Sequence, residues 1–509
     1  MAQSFPFYWG LLLLALCTST NAQCIGDISL AKYYTNGVVF QADTNSQVWG
    51  FTTTADCPVT VQQTCGGRLS DVKKTADFEP SSSQDDMLIW KLTLPPSASG
   101  TECTLEIAQG DMTTNLEIIY GDVWFCSGQS NMEWKMASIF NSTEEIAASA
   151  DYTNIRMYHV GRATADTPQD DINAPEDWDG WYSAADSEKL TYFSAICFLY
   201  ARYMTDQLGD SNKVFGLIES DWGGTRIEPW MSPESLETCN VPDNIDVDEP
   251  YNSNSYLYNA MIYPFLRHTI YGALWYQGES NAGWNNELYA CTFYEMISDW
   301  RIKWSESGSD PNYPFGFVQL GNFIGEPGGV LVRWHQTNDD GVVDGSIFMA
   351  VAMDTYDDES FVHPRNKQII GERLGISGGN AAYGLTQNPM NGPFPSMNFN
   401  ISGILTLDYP TGAGITYDNS EISGFYACCV NYDDCDIVAG NWNKIVNENV
   451  SVDTTHCRIV VDYSTACPGT TASGIAYLWE DIAVEGMLAA PIYSNNEFRL
   501  PAAPWKTSV

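Results

Sequence analysis

Basic residues are scarce in this chain of 509 residues: 23 Lys and Arg stand against 64 Asp and Glu, a formal net charge of -41. Long-range repulsion at that charge disfavours nucleic acid and anionic membrane surfaces as partners. Histidine is rarer, at five residues. Neither a His-Glu-x-x-His run nor a Cys/His set at zinc spacing occurs, so no metal is expected. A P-loop and a dinucleotide fingerprint are also missing, and no cofactor is expected. Apolar runs are short. The longest, Trp9-Gly10-Leu11-Leu12-Leu13-Leu14-Ala15-Leu16-Cys17, falls well below the ~20 residues that cross a bilayer, which argues against membrane insertion. With the small polar residues up to Ala22 it reads as a secretory signal over residues 1–22, although its start carries no Lys or Arg. Tandem repeats and a long disordered linker are absent.

What is present points to a globular, exported protein. Hydrophobic residues at 44% and aromatics at 13% suffice for more than one core, and the length suggests about three domains. Of 14 cysteines, Cys17 leaves with the signal, so an odd number remains and at least one is unpaired. The clusters Cys57/Cys65/Cys103 and Cys428/Cys429/Cys435/Cys457/Cys467 have no His at zinc spacing and read as disulfide staples, with the pairing open. Sequons at Asn141, Asn400 and Asn449 are expected on the surface if glycosylated. The location expected is the secretory pathway, secreted or lysosomal.

Residues 23–115 carry short alternating segments such as Gln47-Val48-Trp49-Gly50-Phe51, separated by Pro-Ser-rich turns, and predict a β-sandwich-like domain. From 116 to 380 strands alternate with helices, the pattern of an α/β core with a largely parallel sheet. Expected strands are 123–126, 214–219, 271–276, 315–320 and 347–354. Helical spacing links Ile196, Leu199, Tyr200, Tyr203 and Met204, and also Phe293, Ile297, Trp300 and Trp304. A last helix is expected over 365–374, with Gly375 near its end. Residues 381–509 read as a second β domain.

Ligand crevices of parallel sheets lie at the carboxyl ends of the strands, and polar groups sit at four such ends. Strand 123–126 leads to Ser130, 214–219 to Trp222-Gly223-Gly224-Thr225-Arg226, 271–276 to Gln277-Gly278-Glu279-Ser280-Asn281, and 347–354 through an acidic loop to His363. Ester cleavage by acyl transfer needs a nucleophile, a base and donors for the oxyanion. Ser130 is the candidate nucleophile and His363 the candidate base. The N–H of Ser130, the N–H of Gly224 and the Gln277 amide are the candidate oxyanion donors. Ser127 still belongs to the strand, and Glu279-Ser280-Asn281 reads as a buttress for Gln277, so both serines rank below Ser130. His159, His268, His335 and His456 accompany no comparable cluster and read as structural. Trp222, Trp230, Trp275 and Tyr276 are candidate stacking surfaces for a sugar, with core packing preferred for Trp275. Arg226 either meets a substrate carboxylate or pairs with Glu228 or another acid.

Gly128-Gln129-Ser130-Asn131-Met132, the run from Trp222 to Trp230, Trp275-Tyr276-Gln277-Gly278-Glu279-Ser280-Asn281, His363-Pro364-Arg365-Asn366-Lys367, Leu257-Tyr258-Asn259-Ala260-Met261-Ile262 and Leu500-Pro501-Ala502-Ala503-Pro504 together resemble the ordered blocks of sialate O-acetylesterases. The resemblance implies a flavodoxin-like SGNH-hydrolase core flanked by β regions, and removal of O-acetyl groups, 9-O-acetyl foremost, from sialic acids or sialoglycans. The wider superfamily places an Asp three residues before its histidine, where this chain has Ser360. Asp354, Asp357, Asp358, Glu359 or a backbone carbonyl are the alternatives for orienting His363. Two other readings stand beside this one: an acetylesterase acting on another carbohydrate such as xylan, and an inert glycan-binding protein.

Overall fold

A computed structural model describes residues 24–509 apart from 70–72, 176, 323–327, 361, 401, 411–413, 419–422, 436–439, 454–456 and 481–486. The signal expected over residues 1–22 lies outside the described residues, and so does His456.

The chain is built on one strand of 17 residues, β1 (Met112–Gly128). Its first half pairs antiparallel with Glu102–Gln109 and then parallel with Val38–Gln41. Its second half is the middle of a parallel sheet formed with β2 (Ile155–His159), β3 (Phe215–Asp221), β4 (Gly272–Tyr276), β5 (Phe315–Gln319) and β6 (Ile347–Val351), in the order β2-β3-β1-β4-β5-β6. The expected junction between residues 115 and 116 therefore falls inside a continuous strand. The N-terminal segments form two sheets, one of them, containing Ser46–Thr52 and Leu88–Leu94, being separate from β1. After residue 383 the described elements are strands and two short 3-10 turns, arranged in three small sheets.

Every residue of β3 and β4 is buried, as a sheet covered on both faces requires. The covers are α2 (Ala195–Leu208), α3 (Tyr289–Ser305) and α4 (Lys367–Tyr383). Adjacent residues of β1 show the two faces: Trp124 meets Tyr200 of α2 and Phe348, whereas Phe125 meets Trp300 and Trp304 of α3.

Helix α4 does not stop near Gly375 as expected but continues to Tyr383, with Gly384 at φ 68° as its cap. Its glycines serve close approach to α2. A Cβ on Gly371 would lie 2.6 Å from Leu199 Cβ, and one on Gly375 would lie 2.9 Å from Tyr203 Cβ.

Among the described residues six disulfides form: Cys24–Cys57, Cys65–Cys103, Cys126–Cys197, Cys239–Cys291, Cys428–Cys435 and Cys429–Cys467. Cys457, expected within a stapled cluster, is instead a buried free thiol, the unpaired member of the odd set. Cys126–Cys197 ties β1 to α2. Asn141 and Asn400 are exposed, whereas Asn449 is half-buried. No helix among the described residues is long and apolar enough to cross a membrane.

Candidate active site

At the end of β1, Gly128 has φ 144°, and a Cβ there would lie 2.2 Å from the Tyr276 carbonyl oxygen. Only glycine fits this hook over the end of β4. Gln129 N–H then donates to the Tyr276 carbonyl at 3.0 Å, and a single helical turn, α1 (Ser130–Glu133), begins. Ser130 opens that turn and is half-buried. Its Oγ lies 2.8 Å from His363 Nε2. The ring of Trp134 stacks on the imidazole at 4.8 Å between centroids and 15° between planes.

The turn after β3 closes on the same point. A Cβ on Gly223 would lie 3.2 Å from Ser130 Cβ and 2.8 Å from Glu133 Oε2, so this backbone packs closely against the turn that carries the serine. Gly223 N–H donates to Glu133 Oε2 at 2.9 Å. Gly224 has φ 78° and open space on its Cβ side.

Gln277 does not sit as expected. Its amide is fully buried, and Nε2 donates to the Thr225 carbonyl at 3.1 Å and to Asn281 Oδ1 at 2.7 Å, while Oε1 accepts from the Tyr289 hydroxyl at 2.9 Å. Both N–H bonds are committed within the protein, so Gln277 braces the 222–226 turn and is not a free oxyanion donor. Its place at a strand end is visible in sequence; the acceptors that occupy it are brought there by folding.

Arg226 makes no ion pair among the described residues. Its guanidinium lies 3.9 Å from the centroid of the Trp284 ring, and Glu228, the expected alternative partner, is held by Asn281 and Asn285. Trp222 stacks on Tyr251 at 5.1 Å between centroids, and the Arg162 guanidinium lies 5.5 Å from the Trp222 ring centroid. Trp230, Trp275 and Tyr276 are core residues.

Residues 120–375 match the family described as carbohydrate esterase, sialic acid-specific acetylesterase, and residues 398–509 match the sialate O-acetylesterase C-terminal domain. Over 531 aligned positions the chain is 33% identical to the Homo sapiens sialate O-acetylesterase, covering 97% of this chain and 95% of the human protein. The Mus musculus sialate O-acetylesterase is 32% identical over 98% of this chain and 97% of its own. The chain belongs to the sialate O-acetylesterase family. It is an esterase. Among solved structures, a carbohydrate acetylesterase from Xanthomonas citri shares the fold, with a TM-score of 0.76 at 24% identity over 94% of this chain and 99% of that one.

None of the carboxylates considered for His363 hydrogen-bonds its ring among the described residues. Asp354 is bound by Arg373 at 2.6 and 2.8 Å. Asp357 and Glu359 are each 2.7 Å from Arg365, and Asp358 is exposed. The contact from the backbone runs to the main chain, where His363 N–H donates to the Ser360 carbonyl at 3.1 Å.

Burial pulls the His363 imidazole down to about 4, and the Lys367 ammonium adds to this, while Glu133 opposes it. Lys367 is itself fully buried, which draws its ammonium down to about 7. Ser127 is completely buried and Ser280 N–H donates to Gln129, so neither meets the imidazole. His159 lies 3.3 Å from Glu219, His268 Nε2 is 3.1 Å from the Val39 carbonyl, and His335 is 2.6 Å from Asp339. The sequence assigns no role to three residues near the site, Trp134, Glu133 and Lys367. Glu133 and Trp134 directly follow the block Gly128-Gln129-Ser130-Asn131-Met132, and Lys367 closes the block that begins at His363; that proximity is the sequence clue to them.

Proposed function

We propose that the chain removes O-acetyl groups, 9-O-acetyl foremost, from sialic acids through an acetyl-enzyme on Ser130. The observation that carries this is the 2.8 Å contact between Ser130 Oγ and His363 Nε2. Ser130 Oγ bonds to the acetyl carbonyl carbon as Nε2 takes its proton, which requires the tautomer with hydrogen on Nδ1. The N–H groups of Ser130 and Gly224 receive the oxyanion. Collapse breaks the bond to the sugar oxygen, which leaves with the proton from His363. Water then repeats the sequence and releases acetate. Gln277 is assigned a bracing role.

With the outermost parallel strand β2 set aside, the order reads β3-β1-β4-β5-β6, a flavodoxin-like order that supports the reading of an SGNH-hydrolase core. Arg226, placed 3.9 Å over the Trp284 ring and in no ion pair with a carboxylate among the described residues, is assigned to the sialate carboxylate. It favours an anionic sugar over acetylated xylan, because so acidic a chain needs a local cation there. Six disulfides support residence in the secretory pathway, secreted or lysosomal.

The test is acetate release from O-acetylated mucin by wild type, Ser130→Ala and His363→Ala, with acetylated xylan in parallel. Ser130→Ala should abolish turnover, and His363→Ala should lower it by at least about 10³-fold. Near-normal turnover by Ser130→Ala would refute the nucleophile. Faster release from xylan would refute the substrate class, and failure of an organophosphonate to label the wild type would leave the inert glycan-binding reading.

A further inference from the structure

No carboxylate among the described residues reaches the His363 ring, yet the imidazole is set against Ser130 at hydrogen-bonding distance. Something else must hold it. Asn131 follows Ser130 directly, and its Nδ2 donates at 2.8 Å to the carbonyl of Val362, the residue before His363. One amide therefore joins the nucleophile turn to the imidazole loop across 231 positions of sequence.

That amide is fixed in turn. Nδ2 also donates to Glu279 Oε1, and Oδ1 accepts from Lys367 Nζ. A flipped amide would set its N–H groups against an ammonium and its oxygen against a carboxylate, so only one orientation is satisfied. Asn131 is 1% exposed, Lys367 0% and Glu279 7%. Lys367 and Glu279 form no ion pair with each other among the described residues; each addresses Asn131. Buried charges are costly unless paired and hydrogen-bonded, and apolar packing would fill the same volume without that cost. What apolar packing could not do is fix the rotation of an amide whose other bond holds the residue before the base.

We propose that Asn131, oriented by Lys367 and Glu279, is the positioning residue that keeps the His363 imidazole in line with Ser130 Oγ, the placement a carboxylate provides in a Ser-His-Asp triad. The proposal rests on Ser130 and His363 being nucleophile and base. It differs from a triad in kind: the clamp acts on the backbone of the histidine loop, and Trp134 on the ring face, so placement is supplied without a charge on Nδ1.

The test is active-site titration with a p-nitrophenyl alkylphosphonate, which phosphonylates the serine and releases p-nitrophenolate, together with steady-state turnover. The full-length variants are Asn131→Ala and Lys367→Met, the second serving if the first fails to fold. Each should titrate with wild-type stoichiometry, while the phosphonylation rate per site and kcat fall about tenfold to a hundredfold and KM changes by less than about threefold, as for a misplacement of about 1 Å. A wild-type rate per titrated site, or a loss confined to the number of titratable sites, would overturn the positioning role. Stoichiometric labelling of Ser130→Ala would instead overturn the nucleophile, and the clamp with it.

Discussion

The depressed imidazole of His363 makes a prediction about acid activity that the fold alone does not. A histidine at its ordinary value of about 6.5 is only about 3% neutral at pH 5, whereas one pulled to about 4 is about 90% neutral there, roughly a thirtyfold difference in competent base. The cause is first the burial of the ring and second the Lys367 ammonium. The profile of kcat/KM against pH for a neutral acetyl ester should therefore hold its plateau down to about pH 5 and fall with a midpoint near 4. Lys367→Met removes the repelling cation, so that midpoint should move to higher pH while staying below 6.5, because burial persists. The same group bears on stability. Between about 6.5 and 4 the unfolded chain binds a proton that the folded site does not, so this histidine's contribution is present above 6.5 and is lost as pH falls towards 4. Enzyme held at each pH and assayed after return to pH 6 separates reversible protonation from acid unfolding. A wild-type midpoint at 6.5, or a downward shift in Lys367→Met, would refute the electrostatic reading of the site.

Arg226→Ala should raise KM for a sialate ester by about tenfold or more relative to the carboxylate-free p-nitrophenyl acetate, the loss expected for one charge-assisted hydrogen bond; equal changes for both esters would remove Arg226 from substrate recognition. Asp354→Asn leaves Arg373 buried without its carboxylate and should cost about 3–5 kcal/mol in denaturant unfolding. If kcat instead fell by about 10³ or more with stability intact, Asp354 would be the missing triad acid. Replacing both Cys126 and Cys197 by Ala should lower stability by about 2–5 kcal/mol, since their bridge closes 71 positions between β1 and α2; an unchanged unfolding midpoint would show that packing alone fixes that contact.

Much of the frame is legible from periodicity. Runs such as Val123-Trp124-Phe125-Cys126 and Gly272-Ala273-Leu274-Trp275-Tyr276 are apolar throughout because helices cover both faces of the sheet, and the odd number of mature cysteines leaves one thiol over, Cys457. Local pattern misleads where a residue serves a distant neighbour. Gly375 looks like a helix end, but it is a point of contact with Tyr203. β1 crosses the expected domain junction because its two halves have different partners, Glu102–Gln109 on one side and β3 and β4 on the other.

The site divides along the same line. Ser130 and Gly224 can be picked out because each lies in a glycine-bearing turn just past a strand end, and His363 because it follows the acidic loop after β6 and is the histidine left once the other four are read as structural. Gln277 can be picked out for the same reason, yet folding supplies Thr225 and Asn281 as acceptors and removes its free donors. Asn131 and Lys367 show the converse, since neither has meaning until residues 236 positions apart are joined. A search for the third triad member confined to the residues before His363 examines carboxylates that are already held, Asp354 by Arg373 and Asp357 by Arg365. Asn131, which bonds the imidazole loop, comes instead from beside Ser130, so the acidic loop contributes His363 and its own arginine pairs, while the turn that carries Ser130 contributes the amide that holds Val362.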